Sequence, residues 1–102
     1  MDVAAYCLEK PFAEETYPFG PDATVFKVKG KMFAIMPAVD KPHDISLKCD
    51  PMRAIILRQD HPEITEGYHL NKKHWNTLDI TGELPDDLVA ELIDHSYNLV
   101  AK

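Results

Sequence analysis

The chain has 102 residues and a mass of 11.6 kDa, with 45% hydrophobic and 27% charged side chains. This usage excludes a collagen-like, low-complexity or wholly disordered chain, and the length fits one domain burying roughly 65% of its unfolded surface. Seventeen acidic against 11 basic side chains give a formal net charge of −6, which excludes a polycationic nucleic-acid binder but leaves room for a local basic face. In chain order, Val3 to Glu9 reads as a short helix with Val3 and Cys7 on one face, stopped by Pro11. An irregular Pro/Gly-rich connection with Pro18, Gly20 and Pro21 follows. Thr24 to Val28 and Lys31 to Met36 are two β-prone runs around Lys29-Gly30, the spacing of a tight hairpin, with Phe26 expected opposite Phe33 and Thr24 opposite Ile35.

Pro37 and Pro42 bracket the next turn, and Ile45 to Lys48 alternates as a third strand would. Asp50-Pro51 is a helix start, with the aspartate as N-cap and the proline in the first turn, where its missing N–H costs nothing. The helix it opens runs to about Gln59, with the stripe Met52, Ile55 and Ile56 expected to pack on the hairpin. Residues 63 to 73 read as a loop with one short strand around Tyr68 to Leu70, and Gly67 as a positive-φ position. Trp75 to Ile80 reads as a strand with Trp75, Thr77 and Asp79 on one face and Asn76, Leu78 and Ile80 on the other. Pro85 opens a last helix whose first-turn Asp86 and Asp87 suit its positive end, with Leu88, Leu92, Ile93, Leu99 and Val100 on one side. Strands framed by helices imply a two-layer α+β domain over residues 1–102.

No apolar run approaches the 18 or so residues of a membrane span, and the start at Met1 and Asp2 lacks a basic, apolar leader. A cytoplasmic location is expected, with no membrane contact. Cys7 and Cys49 stand far apart with no CxxC, and the five histidines form no HExxH, so neither a disulfide framework, a metal nor another cofactor is expected. No Ser/His/Asp, Cys/His or paired-carboxylate set stands out, and the expectation is a protein that is not an enzyme. His95, inside the apolar arc of the last helix, reads as a partly buried imidazole bonded to backbone or a neighbour.

Charge is unevenly distributed. Residues 1–26 hold five acids and one base, residues 27–74 six acids and nine bases, and residues 75–102 six acids and one base. The basic middle contains Lys27, Lys29 and Lys31 on the hairpin, Lys48, and the pair Lys72-Lys73. A functional reading makes the hairpin tip and the Lys72-Lys73 loop two wings on phosphate, with Tyr68, His69, Asn71, His74 and Trp75 supplying hydrogen bonds or stacking. The plain structural alternative is that lysines on tips and loops serve solubility and block edge pairing. The only arginines, Arg53 and Arg58, fall in the middle helix.

Five strings carry a resemblance: YPFGPD at Tyr17 to Asp22, VFKVKGKMFA at Val25 to Ala34, SLKCDP at Ser46 to Pro51, GYHLNKKHWNT at Gly67 to Thr77, and LIDHSYNLV at Leu92 to Val100. Together they resemble the MmcQ/YjbR family of small bacterial proteins over nearly the whole chain. The resemblance implies an α+β fold in which an antiparallel sheet packs against helices, similar to type III secretion chaperones, with two projecting hairpins likened to a double-wing DNA-binding motif. It sets Lys29-Gly30-Lys31 as the first wing and Tyr68, His69, Asn71, Lys72, Lys73, His74 and Trp75 as the characteristic loop. The short first helix and the Lys10-Pro11-Phe12 turn depart from the pattern. Two partners are compatible with these residues: double-stranded DNA on the wings, or a protein docked on the sheet or the Tyr68 to Trp75 surface.

Overall fold

A computed structural model describes residues 1–37, 43–67 and 70–102. Three helices, α1 (Val3–Leu8), α2 (Pro51–Asp60) and α3 (Asp86–Val100), accompany six strands, β1 (Glu14–Thr16), β2 (Ala23–Val28), β3 (Lys31–Pro37), β4 (Asp44–Lys48), β5 (Ile64–Glu66) and β6 (Trp75–Asp79). The strands form one antiparallel sheet in the order β1-β2-β3-β4-β6-β5. This is the expected α+β architecture. β1 leaves no strand signal in the sequence because Glu-Glu-Thr carries no apolar alternation, as befits an edge strand blunted by charge. A short strand stands at Ile64–Glu66, within the stretch expected to be loop; the strand expected around Tyr68 to Leu70 and the turn bracketed by Pro37 and Pro42 fall largely outside the described residues.

The main core joins Val3 and Cys7 of α1, Val89, Leu92, Ile93 and Val100 of α3, and Ala54 and Leu57 of α2 to sheet residues including Phe26, Phe33, Ile45 and Leu78. Val25, Ile35 and Trp75 form a second cluster, with Ala23, Met32 and Leu70 packed on it. Alternation explains the split, since Val25 and Trp75 point opposite to Phe26 and Asn76. The hairpin register follows the expectation only near its tip. Val28 pairs with Lys31 and Lys27 with Met32, but Phe26 pairs with Ala34 and Thr24 with Met36. One residue of β3, Phe33, is therefore extra, and this bulge turns Phe33 and Ala34 alike into the main core.

A second correction concerns α2, whose length and cap are as expected, with the Asp50 carboxylate accepting from the Arg53 N–H at 3.2 Å. The expected inward stripe faces out: Met52, Ile55 and Ile56 are exposed and Ala54 and Leu57 are buried. The helix packs on β5 and β6 rather than on the β2–β3 hairpin. Buried Asn76 fixes this placement, donating from Nδ2 to the Ala54 carbonyl (3.2 Å) and accepting from Arg58 Nη1 (2.7 Å). By contrast α3 lies across β3 and β4 on the stripe read from its sequence.

Candidate nucleic-acid interface

Antiparallel pairing decides where the lysines gather. β2 ends and β3 begins at Lys29-Gly30; Lys48 ends β4 opposite Trp75, which begins β6; and Glu66, which ends β5, pairs with Asn76. The β2–β3 turn, the end of β4 and the β5–β6 connection thus share one end of the sheet. Lys29, Lys31, Lys48, Lys72 and Lys73 stand there, with Lys27 one step in. Asp22, Asp44 and Asp79 mark the other end, joined by Asp60 and Glu63 before β5 and by Glu83, Asp86 and Asp87 leading into α3. Lysines thus concentrate at one end of the strands and carboxylates at the other, with Glu14, Asp50 and Glu66 standing among the lysines. The two connections are three strand spacings apart, about 14 Å.

The lysines are not equivalent. Lys29 and Gly30 have φ of 54° and 76°, the paired left-handed residues of a tight hairpin turn, and Lys29 Nζ donates to the Ala101 carbonyl at 2.7 Å. Lys29 is therefore already placed on the negative end of α3. Lys72 stands 3.9 Å from a Glu66 carboxylate oxygen, an exposed and weak pair. Among the described residues no carboxylate lies within ion-pair distance of Lys27, Lys31, Lys48 or Lys73. Lys27 and Lys48 share the face of the second apolar cluster, Lys27 beside Glu14 of β1 and Lys48 beside Trp75.

The β5–β6 connection is held by contacts rather than by turn preference. Gly67 does not have the expected positive φ; a Cβ built on it would lie 2.6 Å from the Trp75 Cβ, so glycine is needed for close approach. The Asn71 Oδ1 accepts from the Lys73 N–H at 2.9 Å, and its carbonyl accepts from the His74 and Trp75 N–H groups. Asn71 thus closes the loop as an Asx turn and sets Lys72 and Lys73 at its exposed crest. The His74 carbonyl accepts from the Cys49 N–H at 2.8 Å, binding this loop to the end of β4. Trp75 is only 8% exposed and packs with Val25 and Ile35, so it supports the pole rather than offering a stacking face. Tyr68 and His69 lie outside the described residues.

Two residues of α3, Ser96 and His95, brace the gap between the hairpins. Buried Ser96 donates to the carbonyl of the bulged Phe33 (2.5 Å) and accepts from the Lys48 N–H (2.9 Å). Its hydroxyl stands where β3 and β4 stop pairing beyond Ala34 and Leu47. His95 accepts the Asp50 N–H on Nε2 at 3.2 Å; burial, followed by the nearby Arg53 charge, pushes its pKa down. His95 is thus the backbone-bonded imidazole expected. Both arginines are engaged, Arg53 with Glu91 and Arg58 with Asn76. Burial raises both thiols, Cys7 to about 12, and among the described residues no three His, Cys, Asp or Glu side chains form a metal-sized group. A cavity lined by Leu47, Cys49, Leu57, Asn76 and Leu78 measures about 10 Å³, room for a water at most.

Comparison with known proteins identifies the group to which this architecture belongs. The YjbR family model matches residues 8–99. The chain belongs to the YjbR family. It is 42% identical over 93 residues to the uncharacterized protein YbdF of Escherichia coli O157:H7, covering 91% of this chain and 76% of that protein. It is 38% identical over 96 residues to the uncharacterized protein YjbR of Escherichia coli K12, covering 94% and 81%. The crystal structure of Deinococcus radiodurans protein DR2400, of domain family DUF419, superposes with a TM-score of 0.91 at 45% identity, over 99% of this chain and 77% of that one. A crystal structure from Pseudomonas syringae superposes with a TM-score of 0.79 at 29% identity, over 94% and 93%. The sheet with its three helices is thus a YjbR-family fold, and no helix among the described residues is long and apolar enough to cross a membrane.

Proposed function

We propose that this protein binds double-stranded DNA weakly, in the cytoplasm and without catalysis, through lysines on two hairpin wings. The observation that carries this reading is the gathering of Lys29, Lys31, Lys48, Lys72 and Lys73 at one end of the sheet while carboxylates crowd the other. A separation of about 14 Å between the connections is close to the roughly 12 Å width of a B-form major groove. Flexible lysines on both wings then reach phosphates on the two borders of one groove. Unpaired lysine ammonium groups suit phosphate as point charges, and the acidic pole turns away from the duplex. A fluorescence-anisotropy titration with labelled duplex at low salt tests this, with binding expected below about 100 μM and weakened several-fold by Lys72→Ala/Lys73→Ala. Absence of binding, or identical binding by the variant, overturns it.

A second reading, a protein-interaction module, draws on α2, whose outer stripe Met52, Ile55 and Ile56 is 71%, 46% and 53% exposed. A pull-down that recovers one protein, survives nuclease and is abolished by Ile56→Glu favours it over DNA.

A further inference from the structure

We infer that the pole takes duplex DNA through its phosphates alone, with no reading of base edges; this rests on the DNA-binding reading above. Base reading needs arginine forks, free amides or carboxylates, or a helix end directed into a groove. Among the described residues the arginines and the helix ends are engaged elsewhere. The Arg53 guanidinium is held by Glu91 on α3, and that of Arg58 by the buried Asn76 amide.

Helix placement gives the same answer. α3 directs its C-terminal end at the pole, where Lys29 caps the Ala101 carbonyl, and a helix C-terminus repels phosphate. Among the described helices α2 alone begins at the pole, but its N-terminus already carries a carboxylate: Asp50 caps the Arg53 N–H, and His95 takes the Asp50 N–H. The Asn71 amide oxygen is used on Lys73 N–H, so the two-point amide contact that reads adenine is lost although its Nδ2 is left, and Trp75 is buried under the loop. Among the described residues the cationic groups left to meet a ligand are therefore ammonium groups on flexible stems, chiefly those of Lys27, Lys31, Lys48 and Lys73. Such groups neutralise phosphate wherever it stands, and they carry little geometric preference among bases.

Four to six phosphate contacts correspond to a slope of log K against log salt between about −3.6 and −5.4. The deciding experiment titrates the full chain against two labelled duplexes of equal length and unrelated mixed sequence, both free of A-tracts, across a salt series. Affinities within about threefold of each other are expected at every salt concentration, with one common slope. Lys31→Ala/Lys73→Ala is expected to make the slope shallower by about 2 on both duplexes alike. A preference above tenfold for either duplex, or a variant that loses affinity on only one, overturns phosphate-only recognition and leaves the DNA-binding reading standing. Failure of both duplexes to bind at low salt overturns that reading, and this inference with it.

Discussion

The two connections that reach the lysine pole are built on different principles. The β2–β3 turn is local: two residues at positive φ close it, Gly30 has open space around its missing Cβ, and the tip register is legible from Lys29-Gly30 alone. The β5–β6 connection is tertiary: Gly67 yields to the body of Trp75, Asn71 folds back on Lys73, and the His74 carbonyl is fastened to Cys49 across the sheet. A tip that is stable by its own geometry tolerates change around it. One that is stable by what it leans on transmits any change into the second core cluster.

Adding one methyl to each glycine breaks the comparison most sharply. Gly67→Ala forces a Cβ into a 2.6 Å approach to the Trp75 Cβ, and the backbone must shift; a loss of about 2–3 kcal/mol is expected. Gly30→Ala meets nothing within 4 Å and suffers only from its φ of 76°; a loss of about 1–2 kcal/mol is expected. Urea denaturation measures both. Trp75 is the sole tryptophan, so its emission reports the second connection directly. Its spectrum is expected to move in Gly67→Ala and stay in place in Gly30→Ala. Equal losses with unchanged emission in both would show that the two connections are held alike.

Ser96 stands between the connections and sharpens the contrast from the middle. Ser96→Ala removes the one hydroxyl that satisfies both the Phe33 carbonyl and the Lys48 N–H in a site with no exposure. Leaving those groups unpaired is expected to cost about 2 kcal/mol, read as a lowered urea midpoint. A change under about 0.5 kcal/mol would mean that the strands close over the gap and pair directly.

The parts legible in the sequence are those whose pattern needs no partner to interpret. α3 declares its buried stripe because its apolar residues are continuous, and the β2–β3 hairpin declares its turn. Pattern fails where two local answers are equally good. α2 carries Met52, Ile55 and Ile56 on one side and Ala54 and Leu57 on another; periodicity favours the larger set, whereas Asn76, remote in sequence, holds the Ala54 carbonyl and Arg58 and turns the smaller set inward. The bulge at Phe33 is equally invisible, because both registers place a phenylalanine beside a phenylalanine. At the pole, residue types identified the lysines, but Lys29 on Ala101 and Trp75 under its loop are outcomes of packing.

The smallest expected effect is pH-dependent and belongs to His95, which braces the start of α2 as Ser96 braces the end of β4. Its neutral ring accepts the Asp50 N–H, and burial and Arg53 both disfavour the charged form, against the weaker pull of Glu91 and Asp50. The folded-state pKa is thus below the unfolded value of about 6.5. Between the two values the unfolded chain binds more protons, so stability rises with pH. The contribution is complete above about pH 6.5 and is lost as pH falls through the lower folded value. His95→Gln keeps an acceptor without a titrating group, so the other four histidines cancel in the comparison. Because solvent reaches part of the ring, the wild-type advantage is expected to shrink by less than about 4 °C in Tm between pH 7.5 and 5.5. Parallel melting curves for the two proteins across that range would mean that His95 titrates as it does in the unfolded chain, and that the Asp50 contact contributes nothing to the brace.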